Sequence, residues 1–241
     1  VAGQSKLGVL TDPARLRAAV NRRWFNFRLD RLPTQRYDGL VDVGSEWGGW
    51  VVPADLIDDS WICYCVGAGS DVSFDLGLIK RYGARVRCLD PFEIFREQAE
   101  EKADGDPRFS FKEVALAETD GPLTMYGARD PRSGSLSAVN LYESERATTV
   151  EGRTLSSLME EFGDDRADLL KLDIEGSEYE ILPTLDLSAL GVRVLCVEIH
   201  PNHSVAEARR LLDGVTAQGY GLVNCKHPTS YTFMVDADIS V

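Results

Sequence analysis

Residues 61–90 read WICYCVGAGSDVSFDLGLIKRYGARVRCLD. Ile62–Val66 is a short apolar run rich in β-branched and cysteine side chains, the pattern of a parallel strand buried on both faces. Gly67 and Gly69 follow, and residues without a Cβ suit a tight turn and close backbone approach to a ligand. Val72, Leu76 and Ile79 then recur at helical spacing, so a helix is expected to start near Asp71 or Val72. Residues 86–89 form a second apolar run, closed by Asp90-Pro91. That acid stands about 20 residues past the glycine loop, where a nucleotide-binding βαβ unit carries the carboxylate for ribose hydroxyls. The stretch predicts an adenosine-type ligand without saying which one.

Working outward, residues 39–53 read GLVDVGSEWGGWVVP. Two tryptophans interleave with glycines just ahead of the first core strand. Tryptophan supplies contact area and glycine lets backbones approach. The segment is either a packed loop over the sheet edge or a wall of the acceptor site, with Trp47 and Trp50 as its contacts. Upstream, residues 1–11 are expected to be flexible. Asp12-Pro13 reads as an N-cap with proline at the first helical position, opening a helix over 13–25. Its Arg15, Arg17, Arg22 and Arg23 are a basic cluster, read as a solvated face or a substrate contact.

Downstream, residues 91–104 predict a helix with Phe92, Phe95 and Ala99 on one face. Residues 109–116 predict a third strand, and Asp120-Gly121-Pro122 a turn, so 114–117 and 123–126 are expected to form a hairpin. A short strand near 148–150 precedes a helix capped by Thr154. Residues 169–174 predict the fourth strand, 177–187 a helix despite Pro183, and 192–199 the fifth strand. A further helix over 203–218, with His203 as its cap, leads to two last strands near 221–225 and 231–235. Their connection is far too short for a parallel crossover, so they pair antiparallel. Strands alternating with helices make a doubly wound, mostly parallel seven-stranded α/β sheet, Rossmann-like, ending in an antiparallel hairpin. Residues 1–38 are expected to be a helical extension and 39–241 one ligand-binding domain.

The 241 residues are enough to bury a sizeable core, and the formal net charge of −13 argues against nucleic acid as a partner. The five cysteines all fall in predicted strands without a CxxC pair, which reads as buried reduced thiols. No signal-peptide pattern or membrane-length apolar run is visible, so a cytoplasmic protein without a membrane span is expected. A homo-oligomer is left open.

The glycine loop, CLDP, the GSLS segment and above all LLKLDIEGSEYEIL (residues 169–182) resemble the FkbM family of S-adenosylmethionine-dependent, class I methyltransferases. GSEWGGW is similar to a branch of that family, and the resemblance spans roughly residues 40–235. It implies methyl transfer from S-adenosylmethionine to a hydroxyl of a sugar in a glycan or glycosylated natural product. Methyltransferases usually carry an acid two residues before the first loop glycine, and Cys65 holds that place. Asp71 is the candidate carboxylate for the donor's amino group instead.

With that donor, Gly67, Ala68 and Gly69 are expected along the methionine portion and Asp90 at the ribose. Asp90 also suits a helix N-cap. Phe92 flanks the adenine, and Val114 and Ala115 line its pocket or serve only the core. Ser135 is a contact for donor or acceptor, or a turn residue. Asp173 and Glu175 end the fourth strand, where open α/β sheets bind ligands, and strand alternation would aim both the same way. Glu178 falls in the first helical turn, where a negative charge is favoured. His200, at the end of the fifth strand, is the candidate base, with Asp173 and Glu175 orienting the acceptor and Glu198 touching it. A metal held by Glu198, His200 and Asp173 is a less favoured scheme. Two other functions stay open: a nicotinamide-dependent (NAD) oxidoreductase, which Val72 in place of a third glycine disfavours, and a non-catalytic binding protein on the same fold.

Overall fold

The computed structural model describes Leu29 and residues 32–127, 136–140, 144–226 and 229–239. The expected helix over 13–25, its arginine cluster and Ser135 lie outside those residues.

A hairpin comes first, β1 (Leu40–Val43) paired antiparallel with β2 (Trp50–Pro53). The chain then enters β3 (Ile62–Val66), whose five residues are all buried, as a strand covered on both faces requires. Helix α1 (Ser73–Tyr82) leads to β4 (Arg85–Leu89), and α2 (Glu93–Ala103) leads to β5 (Phe109–Lys112). After an inserted small sheet and α3 (Leu155–Phe162), the chain returns as β10 (Leu169–Leu172). A short helix α4 (Glu178–Ile181), β11 (Val194–Glu198), α5 (Val205–Ala217), β12 (Tyr220–Lys226), β13 (Ser230–Val235) and α6 (Asp236–Ile239) complete it.

The main sheet has seven strands in the order β12-β13-β11-β10-β3-β4-β5. From β11 to β5 neighbours run parallel, while β13 is antiparallel to both β11 and β12. Strand order reverses between β3 and β10, so a crevice opens above the carboxyl ends of those two strands. Alternation sorts the core onto two faces. Tyr64, Val66, Leu170, Leu172 and Val197 pack on one, and Cys63, Cys65, Cys88 and Cys196 on the other, beneath Phe74, Leu78 and Ile79 of α1. These four thiols are buried and Cys225 is half-buried. Burial pushes Cys196 up to about 12 and Cys63, Cys65 and Cys88 well above their ordinary value.

Several local expectations are corrected. The expected third strand breaks at Glu113: β5 stays in the main sheet, while β6 (Ala115–Leu116) joins a second sheet. That sheet runs β6-β9-β7-β8, with β7 (Gly121–Gly127), β8 (Leu136–Ser137) and β9 (Ala147–Arg153). The expected hairpin of 114–117 with 123–126 does not form, because β9 inserts between them, parallel to β6 and antiparallel to β7. Period-2 alternation marks a strand but not its partner, and the seven residues of β9 outcompete the short turn. The helix expected over 177–187 is one α turn followed by a 3-10 turn at Leu182–Thr184. Pro183 removes a donor and its ring clashes with the preceding turn.

His203 does not cap α5. Ser204 does, accepting from the Glu207 N–H while Glu207 reaches back to the Ser204 N–H, a reciprocal capping box. Ser204→Ala is expected to cost about 0.5–2 kcal/mol, read as a lowered denaturation midpoint at an unchanged m-value. No helix among the described residues is long and apolar enough to cross a membrane.

Candidate active site

The crevice at the strand-order reversal is a cleft of about 690 Å³, within the range of small-ligand sites. One side is the glycine loop. Gly67 has φ of +83°, and a Cβ there would fall 1.8 Å from the Asp173 carbonyl oxygen, so no other residue fits. The loop is tied to the end of β4: the Gly67 N–H donates to the Leu89 carbonyl at 2.9 Å. Asp90 Oδ2 accepts from the N–H groups of Ala68 and Gly69, both at 3.1 Å, and Oδ1 accepts from Phe92 N–H at 3.1 Å. Asp90 is 6% exposed. Its burial pushes the carboxyl up, against the three backbone donors and the Lys171 ammonium, which favour the anion.

From below, Lys171 Nζ donates to the Gly67 carbonyl and lies 3.9 Å from Asp173 Oδ2. Lys171 was not among the expected site residues. The signal was available: a lysine in the middle of a buried apolar strand is out of place unless paired.

Asp71 lines the cleft, with its oxygens engaged by Ser45 Oγ at 2.5 Å and Ser73 N–H at 2.9 Å. Burial raises this carboxyl, but the hydrogen bonds from Ser45 and Ser73 outweigh it and hold it below the ordinary range. Asp71 thereby staples the β1–β2 loop over the cleft, and Gly48 is small because a Cβ there would meet the Asp71 carboxyl at 2.7 Å. The two tryptophans of that loop part ways. Trp50 is 5% exposed and packs in the core, whereas Trp47 is 88% exposed at the mouth, and both border the cleft. Phe92, Val114 and Ala115 border it too, Phe92 standing edge-on to Phe95 with centroids 5.4 Å apart. Leu123 and Met125 of β7 add an apolar wall.

The cleft also carries acids: Asp173, Glu175 and Glu198 all border it, Asp173 packed directly against Gly67. Strand β10 ends at Leu172, so the alternation expected through Glu175 does not continue. Instead Glu175 sits at φ of +53°, a conformation uncommon outside glycine, and Ser137 Oγ donates to its carbonyl at 2.6 Å. Ser137 is fully buried and ties the second sheet to this turn. Ser137 belongs to the same GSLS segment as Ser135, which lies outside the described residues. Glu198 Oε1 accepts from Thr229 Oγ1 at 3.1 Å, and burial, then the charge of Asp173, lift its carboxyl above the ordinary value.

His200 is not part of the lining among the described residues. Its Nδ1 lies 2.9 Å from Glu178 Oε1 and its Nε2 3.5 Å from Glu175 Oε2. Burial alone would lower its pKa, but the bond to Glu178, with Glu175 and Asp173 nearby, lifts it to about 10. At neutral pH the ring is an imidazolium with both nitrogens donating. Glu178 is fully buried, and its Oε1 also accepts from Ile174 N–H at 3.0 Å. The pair thus braces the 173–175 turn from behind. Strand β11 ends at Glu198, so no strand period aligns it with His200. Among the described residues no group of three or more His, Cys, Asp or Glu is arranged to hold a metal ion.

A seven-stranded sheet with its seventh strand inserted antiparallel, a glycine loop and an acid at the end of the second parallel strand together define the class I methyltransferase arrangement. A model described as the methyltransferase FkbM domain matches residues 66–222, more than half of the chain. The protein belongs to the FkbM methyltransferase family, and it is an S-adenosylmethionine-dependent methyltransferase. No curated protein matches the chain significantly. Among solved structures it is similar to a fibrillarin pre-rRNA processing protein of Methanococcus jannaschii, at 10% identity and a TM-score of 0.44 over 78% of this chain and 70% of that one. It is also similar to a SAM-dependent methyltransferase from Aquifex aeolicus, at 13% identity and 0.39 over 76% and 85%. A fibrillarin of Aeropyrum pernix, solved with natively bound S-adenosyl-L-methionine, stands at 10% identity and 0.38 over 83% and 84%.

The residues present suit such a donor. A Cβ at Gly69 would meet nothing within 4 Å, so the loop backbone faces open space, and Asp90 offers an anion beside it. When bound, S-adenosylmethionine supplies a methyl carbon activated by its sulfonium.

Proposed function

We propose that this methyltransferase acts on oxygen, methylating a hydroxyl of a sugar in a glycan or a glycosylated natural product. The observation that carries the reading is one cleft bordered both by the glycine loop with Asp90 and by a group of acids. Asp173, Glu175 and Glu198 border it together with the exposed Trp47. Gly67, Ala68 and Gly69 lie along the donor's methionine portion, and Asp90 takes the ribose hydroxyls with the lone pairs its backbone donors leave free. Phe92, Val114 and Ala115 border the adenine.

Transfer needs the acceptor oxygen in line with the methyl carbon and a base for its proton. Glu198 is assigned that base, because a carboxylate lifted above its ordinary range accepts a proton more readily. Asp173 and Glu175 orient the acceptor hydroxyl. His200, expected as the base, is assigned the brace instead, since an imidazolium has no lone pair to receive a proton. Trp47 offers a flat apolar face to the sugar ring. Trp47→Ala is expected to raise the acceptor KM about tenfold with donor binding unchanged, the size of one lost aromatic contact. An unaltered acceptor KM would remove Trp47 from the site.

The test is methyl transfer from isotopically labelled donor into fractionated glycans and glycosylated metabolites. Label that survives mild base, as an ether does and a methyl ester does not, and that is recovered on a sugar oxygen supports methylation of a hydroxyl. Label in an amine or ester contradicts it. Absence of any transfer, with donor still bound, favours a non-catalytic binding protein, and saturable binding of NAD in place of S-adenosylmethionine favours an oxidoreductase.

A further inference from the structure

Lys171 is the only lysine or arginine among the described residues that border the cleft, and it is 5% exposed. It faces the side of the sheet that carries Cys65 and Cys88, and it pairs in register with Cys65 on β3. Its ammonium reaches up to the Gly67 carbonyl, beside Asp173. Beneath the same loop lies Asp75, in the first turn of α1 and 1% exposed, with Oδ1 lacking any hydrogen-bond partner. Burial pushes the Asp75 carboxyl up, against the attraction of the Lys171 ammonium. The usual loop acid is missing at Cys65, and a carboxylate and an ammonium now fill the space under the loop.

We propose that Lys171 is the positioning residue for donor binding. By holding the Gly67 carbonyl from β10, it fixes the peptide that turns the Ala68 and Gly69 N–H groups toward Asp90. The two strands flanking the strand-order reversal are thereby locked in one geometry. Asp173, 3.9 Å away, and then Asp75 are the counter-charges that keep the ammonium tolerable inside the sheet. The inference rests on the assignment of this cleft to S-adenosylmethionine.

The alternative is that Lys171 only neutralises Asp75, and a double variant separates the two. Lys171→Met alone strands a buried carboxylate and is expected to fold poorly for that reason. Lys171→Met with Asp75→Asn removes both charges together. Calorimetric titration with S-adenosylmethionine and with S-adenosylhomocysteine, alongside thermal unfolding, gives the readouts. The proposal expects the double variant to unfold near the wild-type temperature yet bind both nucleosides about tenfold or more weakly, while Lys171→Arg, which keeps a donor for Gly67, binds within about threefold of wild type. A double variant that binds like wild type overturns the positioning role and leaves the donor assignment intact. Wild-type protein that binds neither nucleoside overturns the donor assignment, and this inference with it.

Discussion

Asp90→Ala is expected to weaken S-adenosylmethionine binding by about tenfold to a hundredfold, the loss of one charge-assisted hydrogen bond of about 1.5–3 kcal/mol. Two effects combine at this residue. The carboxylate is the group assigned to the ribose, and it also holds the Ala68 and Gly69 N–H groups that shape the loop. The second effect alone weakens binding by freeing the loop, so Asp90→Asn is the informative companion. Its amide oxygen still accepts a backbone N–H, while the charge offered to the ribose is gone. An intermediate loss for Asp90→Asn is expected, and calorimetry on folded variants reads both. Undiminished affinity in Asp90→Ala would remove Asp90 from the donor site.

Glu178→Ala is expected to cost about 3–5 kcal/mol of stability, because it leaves the His200 imidazolium buried without its nearest anion. The sign follows from the pKa. His200 is raised from 6.5 to about 10 in the folded protein. The stabilisation is therefore present in full below pH 6.5, declines above it, and is lost as pH rises through about 10. The gap in unfolding free energy between wild type and Glu178→Ala should shrink across that window. The ring proton shifts of His200 give an independent reading: titration near 10 in the wild type and lower in Glu178→Gln. A wild-type His200 that titrates at its ordinary value would sink the brace and restore it as a candidate base.

These two residues show what local sequence can and cannot carry. The place of Asp90 beside the glycine loop was legible because strand, glycine loop, helix, strand and acid follow one another within one βαβ unit, and each has a short-range signature. The terminal antiparallel pair was legible from loop length alone. The contact of His200 with Glu178 was not, since Glu178 meets it from a separate helix across 22 positions of chain. Spacing gives no measure of how many carboxylates surround a ring. The strand partners in the second sheet escaped for a similar reason, because alternation fixes a face but not a neighbour. Trp47 and Trp50 read alike in sequence. The turn between β1 and β2 buries one and exposes the other. Lys171 and Asp75 sit far apart in the chain, and only the stacking of α1 on the sheet brings their charges together.

The most direct measurement is a crystal structure of the protein with S-adenosylhomocysteine. The account predicts the nucleoside in the crevice between β3 and β10, its methionine portion along Gly67–Gly69, and its ribose hydroxyls within hydrogen-bond distance of Asp90. A nucleoside bound elsewhere, or a ribose turned away from Asp90 toward the Glu198 side, would contradict it.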